Sequence, residues 1–84
     1  VQFRITPLTD RDAAEMIRGI KGYRLLTGYR GHPPADLEAL EDTLLRLSRL
    51  VEEVPEISEL DLNPIFALPP GQGCRIVDAR IQVR

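Results

Sequence analysis

Ile57-Ser58-Glu59-Leu60-Asp61-Leu62-Asn63-Pro64 and Cys74-Arg75-Ile76-Val77-Asp78-Ala79-Arg80-Ile81-Gln82-Val83 decide how this chain folds. Both stretches alternate apolar with polar residues, the period of a half-buried strand. Pro64 is expected to close the first strand, and Leu68-Pro69-Pro70-Gly71-Gln72-Gly73 reads as the turn before the second. In the first strand Leu60 and Leu62 point one way, and Glu59, Asp61 and Asn63 the other. In the second, Val77, Ala79, Ile81 and Val83 share a face opposite Ile76, Asp78, Arg80 and Gln82. A turn centred on Pro70-Gly71 sets Asn63 against Asp78 and Asp61 against Arg80. The same register sets Leu60 against Ile81 and Leu62 against Ala79 on the core side. A one-residue slip would drive Asp78 and Arg80 among the leucines, so a single register satisfies both faces.

That register gathers Asp61, Asn63 and Asp78 on one face. Carboxylate and amide oxygens are the donors Mg²⁺ prefers, and this ion commonly takes one or two protein ligands with nucleotide phosphates completing its shell. A solvated sheet face, with Asp61–Arg80 as an ordinary cross-strand ion pair, accounts for the same residues.

Working outward, Val1, Phe3 and Ile5 alternate with Gln2, Arg4 and Thr6, giving another strand, ended by Pro7. Thr9-Asp10-Arg11-Asp12 resembles a capping box. Ala13, Met16, Ile17 and Ile20 follow at the spacing of a short amphipathic helix running to about Ile20, with Gly22 as its stop. Residues 23–35 form an irregular connection punctuated by glycine and proline. Asp36 is placed to cap the longest element, whose stripe is Leu37, Leu40, Leu44, Leu47, Val51 and Val54, broadened by Leu45 and Leu50 and stopped by Pro55. The order β-α-α-β-β is an α+β class: a small, mostly antiparallel sheet covered by two helices.

Composition narrows the function classes. The chain has 84 residues, 43% hydrophobic and 29% charged, with a net charge of −2. These are globular proportions. A domain this short buries only about 60% of its unfolded surface, which leaves little to wall a catalytic cleft. With no Lys/Arg-rich block and no Trp, the expectation is no nucleic-acid surface. No apolar run approaches a membrane span. Cys74 is the single cysteine, so a cytoplasmic setting is expected. The chain opens directly in strand-like sequence without an initiating Met, so a fragment of a longer protein is expected.

Glu59-Leu60-Asp61-Leu62-Asn63-Pro64 followed by Val77-Asp78-Ala79-Arg80-Ile81 resembles the end of the ATP-grasp domain in NDP-forming acyl-CoA synthetases, as does Leu26-Thr27-Gly28-Tyr29-Arg30-Gly31 with Pro33 and Pro34. That family includes ADP-forming acetyl-CoA synthetases and relatives of succinyl-CoA synthetase, and its module also occurs fused to GNAT acetyltransferases. The resemblance covers nearly the whole chain and implies that residues 1–84 are one domain, the C-terminal part of an ATP-grasp fold. It implies that Asn63 and Asp78 bind Mg²⁺ at the ATP phosphates, and that Asp61 either binds the metal or supports its ligands. The family reaction passes a phosphoryl group between nucleotide and acyl phosphate through a phosphohistidine on another domain. The family's Gly-rich loop, nucleotide-contacting Lys, CoA-binding domain and phosphorylated His are not among these residues. The implied partners are therefore the remaining ATP-grasp and CoA-binding domains, with CoA and nucleotide.

Arg24 and Arg30 are candidate phosphate contacts, with Gly28 and Gly31 allowing close backbone approach; anchoring of the loop is the plainer role. His32 reads as an exposed loop side chain, Tyr23 and Tyr29 as packing residues, and Cys74 as a small strand residue. Two functions stand. The chain completes a Mg-ATP site in a larger synthetase, inactive by itself, or it is a structural, interaction or regulatory module of a multidomain acetyltransferase fusion that binds no metal.

Overall fold

The computed structural model describes residues 1–7, 13–19, 27–28 and 34–84. Its elements run β1 (Phe3–Ile5), α1 (Ala13–Arg18), α2 (Leu37–Glu53), β2 (Ile57–Leu62), β3 (Ile65–Ala67), β4 (Cys74–Ile76) and β5 (Ala79–Val83). Antiparallel β1, β2 and β5 form one sheet in that order, and β3 pairs with β4 in a second. This is the α+β architecture that the alternation and the helical stripe imply.

The register follows from the two-faced pattern. Leu60 opposes Ile81, Asp61 opposes Arg80 and Leu62 opposes Ala79, as expected for a turn centred on Pro70-Gly71. The same register continues through Ile65↔Ile76 and Ala67↔Cys74. Between the two sheets the ladder is interrupted. Pro64 has no N–H to donate, and the Asn63-Pro64 peptide is cis. Pro64 therefore ends β2 but not the hairpin. Asn63 N–H donates to the Asp78 carbonyl at 3.0 Å and Val77 N–H to the Pro64 carbonyl at 3.0 Å, and pairing resumes at Ile65. The long second strand expected over Cys74–Val83 is correspondingly split at Val77 and Asp78.

Phe3, Ile5, Leu60, Leu62 and Ile65 bury against Met16 and Ile17 of α1 and Leu40, Leu44 and Val51 of α2. Asp36 caps α2 by accepting from Ala39 N–H at 3.0 Å. At the other end Val54 turns to extended backbone just before Pro55. Two packing expectations need correction. Leu45 and Leu50 do not widen the core stripe; they are 44% and 40% exposed. Each sits about 100° around the helix from a buried neighbour, Leu44 or Val51. Ile81 is on the Leu60 face but 53% exposed, and Val83 is 70% exposed. Strand β5 is a sheet edge, and all five of its residues are exposed.

The single cysteine begins β4, half-buried, with its Sγ 3.2 Å from Thr43 Oγ1. Like Asp36, it ties α2 to the hairpin. The Asp36 Oδ2 accepts from Gly71 N–H at 3.1 Å and Gly73 N–H at 2.9 Å. Both glycines have positive φ, +82° and +85°, which side chains resist.

Candidate functional site

The polar face of the three-stranded sheet carries the chemistry. Asp61 stands on β2, the central strand, while Asn63 and Asp78 flank the ladder's interruption and Arg80 lies on β5. Register and the Asn63–Asp78 backbone bond bring all four side chains to one small cavity of about 130 Å³. The sequence-derived trio Asp61, Asn63 and Asp78 is thus adjacent in space. Arg24 and Arg30 lie outside the described residues, as do His32, Tyr23 and Tyr29.

Sequence reasoning missed one contributor and misassigned the partner of another. Gln2 Nε2 donates to Asp61 Oδ1 at 3.0 Å. The alternation of β1 put Gln2 on the polar face, but only the Phe3↔Leu62 pairing places it beside this cavity. Arg80 opposes Asp61 in register, yet its Nε lies 3.9 Å from Asp78 Oδ2. Farther along the face Arg4 Nε pairs with Glu59 Oε1 at 2.7 Å.

Two carboxylates and one amide oxygen make a hard-donor set beside a single guanidinium. That set suits Mg²⁺ when other oxygens complete the shell. Among the described residues no three His, Cys, Asp or Glu side chains cluster as a self-sufficient metal cage. A larger hollow of about 750 Å³ lies along α2, lined by Asp36, Glu38, Glu41 and Asp42 with Ala14, Leu45 and Gly71. Its acids point less to a site. Asp36 is already spent on three backbone N–H groups, which hold its carboxyl below the usual range, Ala39 first, then Gly73 and Gly71, against a desolvation that raises it. The others are ordinary acids of an exposed helix face.

A family model described as the ATP-grasp domain matches residues 1–83. The chain belongs to the ATP-grasp family. It is 51% identical over 82 residues to the beta subunit of an ADP-forming acetate–CoA ligase II from Pyrococcus furiosus, covering 96% of this chain and 35% of the subunit. It is 47% identical over 81 residues to an ADP-forming 4-hydroxybutyrate–CoA ligase from Nitrosopumilus maritimus, covering 96% of this chain and 12% of that protein. This ATP-grasp chain thus spans about a third of the one relative and an eighth of the other. Its fold is similar to acetyl-coenzyme A synthetase 1 from Candidatus Korarchaeum cryptofilum in complex with coenzyme A and Mg-AMPPCP, with a TM-score of 0.77 and 50% identity over 93% of this chain and 36% of that one. No helix among the described residues is long and apolar enough to cross a membrane.

Proposed function

We propose that residues 1–84 form the C-terminal part of the ATP-grasp domain of an ADP-forming acyl-CoA synthetase and supply the acidic wall of its Mg-ATP site. The convergence of Asp61, Asn63 and Asp78 on one cavity carries this reading. Asn63 and Asp78 would be the metal ligands. The Asp61 carboxylate, held through one oxygen by Gln2, has no other hydrogen-bond partner among the described residues, and its other oxygen would bind the metal or orient its ligands. A magnesium ion held by these residues would supply charge neutralisation at the nucleotide's phosphates. The protein's own part is to fix one carboxylate on a paired strand and the other carboxylate and the amide at the backbone-bonded step beside it, so that their positions follow from the hairpin register.

The relatives' names support the reaction class: carboxylate, CoA and ATP interconverted with acyl-CoA, ADP and phosphate. The Mg-AMPPCP complex of the structural neighbour supports the cofactors. The proposed partners are the remaining ATP-grasp and CoA-binding domains, and the exposed apolar side chains of β5 support such packing. Arg24 and Arg30 remain proposed phosphate contacts. Reliance on nucleotide and CoA, with a lone free cysteine, supports a cytoplasmic setting.

In the complete synthetase, Asn63→Ala and Asp78→Ala should each abolish ATP-dependent acyl-CoA synthesis while leaving the thermal unfolding transition in place. Full activity in both variants would overturn the assignment. The 84 residues alone should bind Mg-ATP weakly or not at all; tight binding in a calorimetric titration would contradict it.

A further inference from the structure

Arg80 is the one cationic side chain lining the acidic cavity among the described residues. Three observations make its position informative. It lies opposite Asp61, whose Oδ1 is already occupied by Gln2, and it reaches instead toward Asp78. That approach is loose, 3.9 Å from Nε to Oδ2, with the Arg80 side chain 82% exposed and Asp78 56% exposed. An exposed pair of this kind holds its partners weakly, so the guanidinium can leave at little cost. Finally, its flat fork of donors matches the oxygens of a phosphate as well as those of a carboxylate.

Resting on the metal reading above, we propose that Arg80 is the resident counter-ion of this cavity and that it exchanges partners. Without metal it balances Asp78. When a divalent cation occupies the carboxylates, the guanidinium is repelled from them and turns to a phosphate oxygen of the bound nucleotide. Arg80 thus opposes free metal and favours nucleotide, which biases the site toward the metal–nucleotide complex over either alone.

The two halves have opposite signs, which separates them from structural damage. A unit charge about 6 Å from a dication in water-like dielectric changes its binding about tenfold before salt screening. In the complete synthetase, Arg80→Gln should therefore bind Mn²⁺ alone about three- to tenfold more tightly, read by electron paramagnetic resonance without turnover. Its KM for ATP should rise about tenfold or more through loss of a charge-assisted contact. Arg80→Lys keeps the charge and should leave Mn²⁺ affinity close to wild type, while the loss of the fork still raises KM. Unchanged or weaker Mn²⁺ binding in Arg80→Gln overturns the counter-ion role, and an unchanged KM overturns the exchange of partners. Asp78→Ala identifies the site: if wild type and Asp78→Ala bind Mn²⁺ equally, the metal assignment itself has failed and this proposal with it. Mn²⁺ binding that depends on Asp78 but not on Arg80 leaves the assignment standing and removes only the proposal.

Discussion

Leu60 and Ile81 face each other across β2 and β5, yet their surroundings differ enough to predict very different costs of truncation. Leu60 is 2% exposed, whereas Ile81 is 53% exposed. Leu60 also opposes Ile5 of β1, so it is enclosed on both sides in the sheet and capped by the helices. Leu60→Ala removes buried methyl groups and leaves a cavity, at about 2–5 kcal/mol. Full burial of an isoleucine side chain is worth about 1.5–3 kcal/mol, and Ile81 keeps more than half its surface in water with no enclosed space to empty, so Ile81→Ala should cost about 1 kcal/mol or less. A chain of this length holds only about 4–13 kcal/mol in total, so the first substitution removes a large share of it and the second a small one. Urea unfolding of both variants, with the slope checked for constancy, measures the difference. Equal losses would refute the reasoning, because they would require a cover over β5. The same pair bears on function. In the complete synthetase, Ile81→Ala should become costly if the proposed neighbouring domains pack on β5, and should stay cheap if they do not.

Within α2, Leu44→Ala should destabilise by about 2–5 kcal/mol and Leu45→Ala by about 0.5 kcal/mol or less, which thermal or urea melts would show; the reverse order would mean the helix is rotated. Asp36→Ala should lower the melting temperature by several degrees by freeing the Ala39, Gly71 and Gly73 amides together. Because the folded carboxyl is depressed, the advantage of wild type over Asp36→Ala should be complete above the unfolded value of about 3.9 and shrink as pH falls through the folded one; an advantage that grew toward acid would contradict the bonds. Gln2→Ala should weaken Mn²⁺ binding about tenfold in the complete synthetase while melting close to wild type, and an unchanged affinity would leave Asp61 without need of its amide partner.

The hairpin register was legible because both of its faces constrain it: leucines on one side and acids on the other reject any slip. The interruption at Asn63-Pro64 was not legible, since a proline that ends one ladder says nothing about whether pairing resumes. Ile65, fully buried at 0% exposure, was therefore missed as a core residue. The bulge between Ile57 and Glu59 is also invisible in the alternation. On α2 the spacing identified the helix but overstated its apolar width, because leucine is common on exposed helix faces and only packing decides which face is inside. Asp36 was recognised as a cap from its position. Its second oxygen's hold on the turn depends on a contact 35 residues away, which no local pattern encodes. At the site the adjacency of Asp61, Asn63 and Asp78 was legible from the alternation and its register, while Gln2 required the pairing of β1 with β2.

The charges in that cavity argue for a shared site. Asp61 and Asp78 bring two negative charges and Arg80 one positive, so the group is nearly balanced by itself and has modest pull on a free dication. Adding a divalent cation reverses the local charge, and the surplus is what a polyphosphate can neutralise. On the proposed reading, Asn63 is suited to this balance because it offers an oxygen without a further negative charge. An aspartate in its place would strengthen the hold on metal and weaken the demand for nucleotide. Asn63→Asp in the complete synthetase should therefore tighten Mn²⁺ binding alone while raising KM for ATP. A parallel improvement in both would show that charge balance does not govern this wall.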